Sequence, residues 1–131
     1  MNMKTLMSQN GLSYIFVLLT IAFTVYGQLI IKWQVSLAGP LPNGVAEKCL
    51  FLIKLIFNPW ILSALFAAFL GAISWMGAVA KLDLSTAYPF MALNFVLVAV
   101  FAGIFFGEAI TWQKVISLIL IIGALIIGGR S

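Results

Sequence analysis

The chain has 131 residues, of which 64% are hydrophobic and 8% charged, with a net charge of +4 and a mean hydropathy of +1.20. A soluble domain carries about 25% charged and about 45–50% apolar residues, so this composition excludes a water-soluble enzyme or a DNA-binding domain and points to a membrane protein. The seven Lys and Arg residues stand singly along the chain and never form a run, which reads as charge flanking membrane spans and not as a nucleic-acid footprint. With no His and a single Cys, a Cys/His zinc site, a Ser-His-Asp triad, a Cys-His dyad and an intrachain disulfide are all ruled out. No catalytic residue, metal or cofactor is expected, and Cys49 reads as a small apolar filler at an interface.

A hydrocarbon core of about 30 Å needs roughly 20 apolar residues per helix, and cutting the chain at charges and turn residues predicts an all-α, four-transmembrane-helix bundle forming one domain over residues 1–131. Met1 to Asn10 is a polar tail holding Lys4. It resembles the start of a signal peptide, but the apolar stretch that follows is too long and lacks a small-x-small cleavage site, so retention is expected. The first span covers about residues 12–32 and has no charge before Lys32. A turn region follows from Gln34 to Glu47, dense in helix breakers at Gly39-Pro40-Leu41-Pro42-Asn43-Gly44. Val45 to Phe57 is too short and too charged to span and is expected to be an interfacial helix. Asn58-Pro59 supplies an N-cap and a first-turn proline for the second span, Pro59 to Ala80.

After the turn Lys81-Leu82-Asp83, the third span runs from Leu84 to Gly107, with a kink or break expected at Pro89 because it removes a helical hydrogen bond. Glu108 and Lys114 bracket a second short turn. The fourth span, Ala109 to Gly129, ends at Gly128-Gly129 with Arg130 as a cationic cap. No internal repeat is present. Lys4, Lys81 and Arg130 on one side oppose Lys32, Lys48, Lys54 and Lys114 on the other, a near balance that leaves membrane orientation open.

Polar groups inside spans are costly and therefore informative. Thr20, Thr24, Gln28 and Lys32 recur every four residues and stack on one helix face. In one reading the hydroxyls bond the carbonyl one turn back, Gln28 glues helices together and Lys32 snorkels to the headgroups. In the other the stripe lines a cavity between subunits, with Lys32 at one mouth suited to an anionic group. Tyr88 beside Pro89 is either a ligand-facing aromatic or an interfacial tyrosine, and Asn94 reads as interhelical glue. Trp60 and Trp112 fit an aromatic belt, whereas Trp75 lies deep in the second span. Gly123 and Gly128 would permit close helix approach and a dimer contact. The first two spans contain no carboxylate, and Asp83 and Glu108 lie at span ends. An exchanger of protons for hydrophobic cations needs a carboxylate within the membrane, so its absence there moves the cargo toward anionic or neutral molecules.

Three segments carry a resemblance: Gly27-Gln28 with Lys32 downstream, Ser85-Thr86-Ala87-Tyr88-Pro89, and Phe105-Phe106-Gly107-Glu108-Ala109-Ile110-Thr111-Trp112-Gln113. With the four-span layout they resemble the small multidrug resistance branch of the drug/metabolite transporter superfamily over nearly the whole chain, the N-terminal tail and the extended first loop excepted. Drug-exporting members carry a glutamate where Thr24 stands, a departure that points away from drug/proton antiport. The Gly-Gln and downstream Lys resemble instead the paired subunits that flip aminoarabinose-phosphoundecaprenol across the bacterial inner membrane. The resemblance implies a non-enzymatic flippase for an undecaprenyl-phosphate-linked sugar lipid, working as a homodimer or as a heterodimer with a similar four-span subunit. Lys32 would then meet the phosphate, Gln28 and Thr24 the sugar, with Tyr88 and Asn94 facing them. A proton-coupled exporter of small hydrophobic or cationic compounds using Glu108 as its proton site, or an accessory subunit of a membrane glycosyltransferase, are the alternatives. No Walker-type phosphate loop is present.

Overall fold

A computed structural model describes the backbone of residues 3–130 and the side chains of residues 11–128. The expectations about Lys4 and the Arg130 cap concern side chains outside the described ones. The described chain is helical: α1 (Met3–Ala38), α2 (Val45–Ile56), α3 (Pro59–Val79), α4 (Leu84–Ala87), a 3-10 segment (Tyr88–Ala92), α5 (Leu93–Phe105) and α6 (Trp112–Arg130). Gly11–Ala38, Pro59–Val79 and Leu84–Phe105 are long and apolar enough to cross a membrane, and Trp112–Gly128 is a shorter apolar helix.

Local chemistry explains where the helices stop. Nothing breaks α1 before Gly39, whose φ of 92° is followed by Pro40, so the helix continues past Gln34 to Ala38 instead of opening into a loop there. Gln34 is buried, and its Oε1 accepts a hydrogen bond from Asn58 Nδ2 at 3.0 Å. Asn58 Oδ1 in turn accepts from the Trp60 N–H at 2.8 Å, with Pro59 in the first turn, so one asparagine both caps α3 and ties it to α1. Around Pro89 the helix breaks into α4, the 3-10 segment and α5, as expected where proline removes a donor and crowds the preceding turn. Gly107, at φ 65°, turns the chain after α5 so that the Glu108 N–H reaches back to the Ala102 carbonyl at 3.4 Å. The following residues stay outside the helix until Thr111 Oγ1 accepts the Lys114 N–H at 3.3 Å, and α6 accordingly starts at Trp112 rather than at Ala109.

The principal interface is α1 against α3. On α3, Ala64, Ala67, Gly71, Ser74 and Ala78 are buried, a stripe of small residues at alternating spacings of three and four that lets two backbones approach closely. The approach is close enough that a Cβ on Gly27 would stand 3.3 Å from the Ala64 carbonyl oxygen, and one on Gly71 would stand 3.4 Å from Phe23 Cβ. Val17, Ile21 and Val25 of α1 join Ala78 and Ala87 in the core, covered by Trp75, Phe90, Leu97 and Phe101 among others. α6 rests on the 3-10 segment and α5. A Cβ on Gly128 would lie 3.2 Å from the Pro89 ring, while Gly123 has open space around it. α2 touches the bundle lightly and buries no residue, and Cys49 on it is exposed.

Because a backbone carbonyl cannot yield as a side chain can, Gly27→Val is expected to lose about 1–3 kcal/mol of stability through overpacking. Its thermal aggregation midpoint in detergent should fall clearly, and that of Gly123→Ala should not.

Candidate functional site

The helix break at Pro89 and the turn at Gly107 leave a space of about 550 Å³ between α1, α5, the turn after α5 and α6. Its polar lining comes from Thr24 and Gln28 on α1, Asn94 on α5, Glu108 in the turn and Lys114 on α6, set among apolar groups such as Phe95, Val98 and Leu118. The chain therefore brings together four residues singled out from the sequence, Thr24, Gln28, Asn94 and Glu108. Lys32, one helical turn beyond Gln28, is not in the lining. Its Nζ stands 3.8 Å from Glu108 Oε1, both side chains about half exposed, an ionic contact too long for a hydrogen bond. Tyr88 is not in this lining: its ring meets Trp75 edge-on at 6.1 Å and borders an adjoining depression that shares Met91 and Asn94 with the cavity.

Within the polar stripe of α1 the two halves differ. The hydroxyls of Thr20 and Thr24 donate to the carbonyls of Phe16 and Thr20 at 2.8 and 2.7 Å, so the stripe begins as local backbone satisfaction, with Thr20 buried. Thr24 keeps acceptor capacity toward the cavity. Gln28 is exposed into the space and offers an amide donor and acceptor. Asn94 is more telling. Its Nδ2 faces only Met91 Sδ at 4.0 Å, and its Oδ1 is buried without a hydrogen-bond partner. Leaving such an acceptor unpaired costs about 1–3 kcal/mol, which a rotation of the amide toward the cavity that Asn94 lines would relieve.

Lys114, in sequence no more than the far end of a turn, lines the cavity. Its Nζ donates to the Ala109 carbonyl at 3.2 Å, using one of three ammonium protons. The available signal was Gly107: a glycine that reverses the chain just before Glu108 brings the first turn of the next helix over the same space. Two amides, a lysine and a carboxylate paired to a second lysine thus line one largely apolar cavity, groups able to make hydrogen bonds and charged contacts with a polar guest. Among the described residues no cluster of three or more His, Cys, Asp or Glu could hold a metal ion.

No family model matches the chain, and no solved structure matches it. Curated relatives do. Over 103 residues the chain is 33% identical to a probable 4-amino-4-deoxy-L-arabinose-phosphoundecaprenol flippase subunit ArnE of Aeromonas salmonicida, covering 78% of this chain and 80% of that protein. A protein of the same description from Pseudomonas aeruginosa is 36% identical over 74 residues, 56% of this chain and 64% of the relative. Another, from Pseudomonas fluorescens, is 27% identical over 119 residues, 91% of this chain and 98% of the relative.

Proposed function

The chain belongs to the family of 4-amino-4-deoxy-L-arabinose-phosphoundecaprenol flippase subunits, and from that premise we propose that it moves an undecaprenyl-phosphate-linked sugar between the leaflets of the bacterial inner membrane. The observation that carries the reading is the cavity that Thr24, Gln28, Asn94, Glu108 and Lys114 line together. A sugar bearing hydroxyls and an amine can donate to Thr24 and Gln28 and accept from Gln28 and Lys114. Lys32 sits at the mouth. A half-exposed pair at 3.8 Å is held weakly, so an incoming phosphodiester can take the lysine from Glu108 without a large penalty.

In this reading α6, whose 19 residues reach about 28 Å, is the fourth span. The working unit is two such bundles, two copies of this chain or this chain with a similar one, a reading supported by the description of its relatives as flippase subunits. Translocation draws on gradients or on consumption of the lipid at the far leaflet.

Equilibrium binding of the aminosugar-linked undecaprenyl phosphate to purified protein in nanodiscs tests the assignment. Gln28→Leu is expected to weaken binding about tenfold, the worth of a hydrogen bond lost with its partner left buried. Tyr88→Phe, outside that lining, leaves binding within about twofold of wild type. Equal binding by Gln28→Leu and wild type would contradict the assignment.

A further inference from the structure

A second space, of about 400 Å³, lies on the other side of α1 and is lined by Tyr26, Leu29, Ile30, Trp33, Phe105 and Phe106. It offers no charged group, and its rings are braced from behind. The Tyr26 hydroxyl is engaged with Ser63 Oγ at 3.1 Å, Trp33 meets Trp60 edge-on at 5.2 Å, and Phe105 stacks on Phe101 at 5.8 Å. The position of Lys32 between the two spaces follows from helix geometry. At about 100° per residue, Thr24 and Gln28 share one face of α1, Leu29, Trp33, Tyr26 and Ile30 share another, and Lys32 projects between them. The second half of the junction is Glu108, which contacts Lys32, lines the polar cavity and follows Phe106 of the apolar groove by two positions.

Resting on the reading above, we infer that this groove holds the polyprenyl chain of the lipid while its headgroup occupies the polar cavity, the phosphate lying at Lys32 between them. The occupant is argued from the Lys32–Glu108 junction beside both spaces and from charge. A molecule with a polar sugar, one anionic linker and a branched unsaturated chain matches, in order, a polar cavity, a lysine and an aromatic-walled groove. Rigid rings present a wide apolar surface to the methyl-branched isoprene units nearest the phosphate, at little cost in side-chain entropy.

The test uses the full chain in nanodiscs of phosphatidylethanolamine and phosphatidylglycerol, with a photoreactive benzophenone side chain in place of Phe105 in one variant and, as a control, in place of Phe69, which is exposed on α3. The probe is tritiated undecaprenyl phosphate. Capture at position 105 should exceed capture at position 69 by about fivefold or more, and adding Lys32→Gln should bring the ratio close to one. Equal capture at both positions in the otherwise wild-type chain, competition by phosphatidylglycerol as strong as by unlabelled undecaprenyl phosphate, or crosslinking to a second copy of the chain would each overturn the groove assignment. Any of these together with undiminished lipid translocation by the wild type leaves the flippase reading standing, whereas absence of lipid binding by the wild type removes both.

Discussion

Lys32→Gln is expected to reduce lipid translocation roughly ten- to a hundredfold, the rate equivalent of losing a charge-assisted contact worth about 1.5–3 kcal/mol. Expression and thermal stability should change little, because the lysine is about half exposed and its contact with Glu108 is an ionic one at 3.8 Å, of the kind that contributes under about 1 kcal/mol. Lys32→Arg keeps the charge and should keep part of the activity, with altered geometry at the phosphate. Glu108→Gln separates the flippase from a proton-coupled cation exporter. In the flippase it releases Lys32 and leaves binding of the anionic lipid intact or tighter, whereas an exporter that used Glu108 as its proton site would lose cation export with that change and be indifferent to Lys32→Gln. Translocation and cation export measured on the same four proteins decide between the two.

Ala99→Trp carries the second large effect. Ala99 lines the cavity beside Val98 and Ala102, and a tryptophan there has open space to enter instead of a packed core to displace, so the bundle should fold. The ring would occupy cavity volume assigned above to the proposed headgroup site. Translocation should fall on the order of a hundredfold, as when a substrate is held out of register with its contacts. Unchanged size-exclusion behaviour and melting would show that the loss is one of access. Wild-type rates in this variant would mean that the headgroup takes another path.

The elements of this fold were legible where a single residue dictates backbone behaviour. Asn58 before Pro59 announces the start of α3, and Pro89 announces the break into a 3-10 segment. Periodicity exposed the stripe on α1 but could not divide it, since whether a threonine hydroxyl turns inward to its own helix or outward to a ligand depends on what packs nearby. Thr20 and Thr24 turned out to donate to the backbone, while Gln28 faces the cavity. The small residues of α3 read as unremarkable apolar sequence until α1 was seen lying against them, because a close crossing is a property of two helices. The pairing of Lys32 with Glu108 and the arrival of Lys114 in the cavity were likewise hidden. They are tertiary consequences of the turn at Gly107, and no spacing along the chain encodes them. Tyr88, beside its proline, meets Trp75 edge-on while staying largely exposed, a placement that depends on α3 and is not encoded by spacing.

The most direct measurement is the transbilayer movement of undecaprenyl-phosphate-linked 4-amino-4-deoxyarabinose in sealed membrane vesicles prepared with and without the chain in its native membrane, scored by accessibility of the sugar amine to an impermeant reagent. The account predicts chain-dependent appearance of the sugar at the opposite leaflet, lost in both Lys32→Gln and Ala99→Trp. Movement at the same rate in vesicles lacking the chain, or in vesicles carrying either variant at wild-type levels, would contradict it.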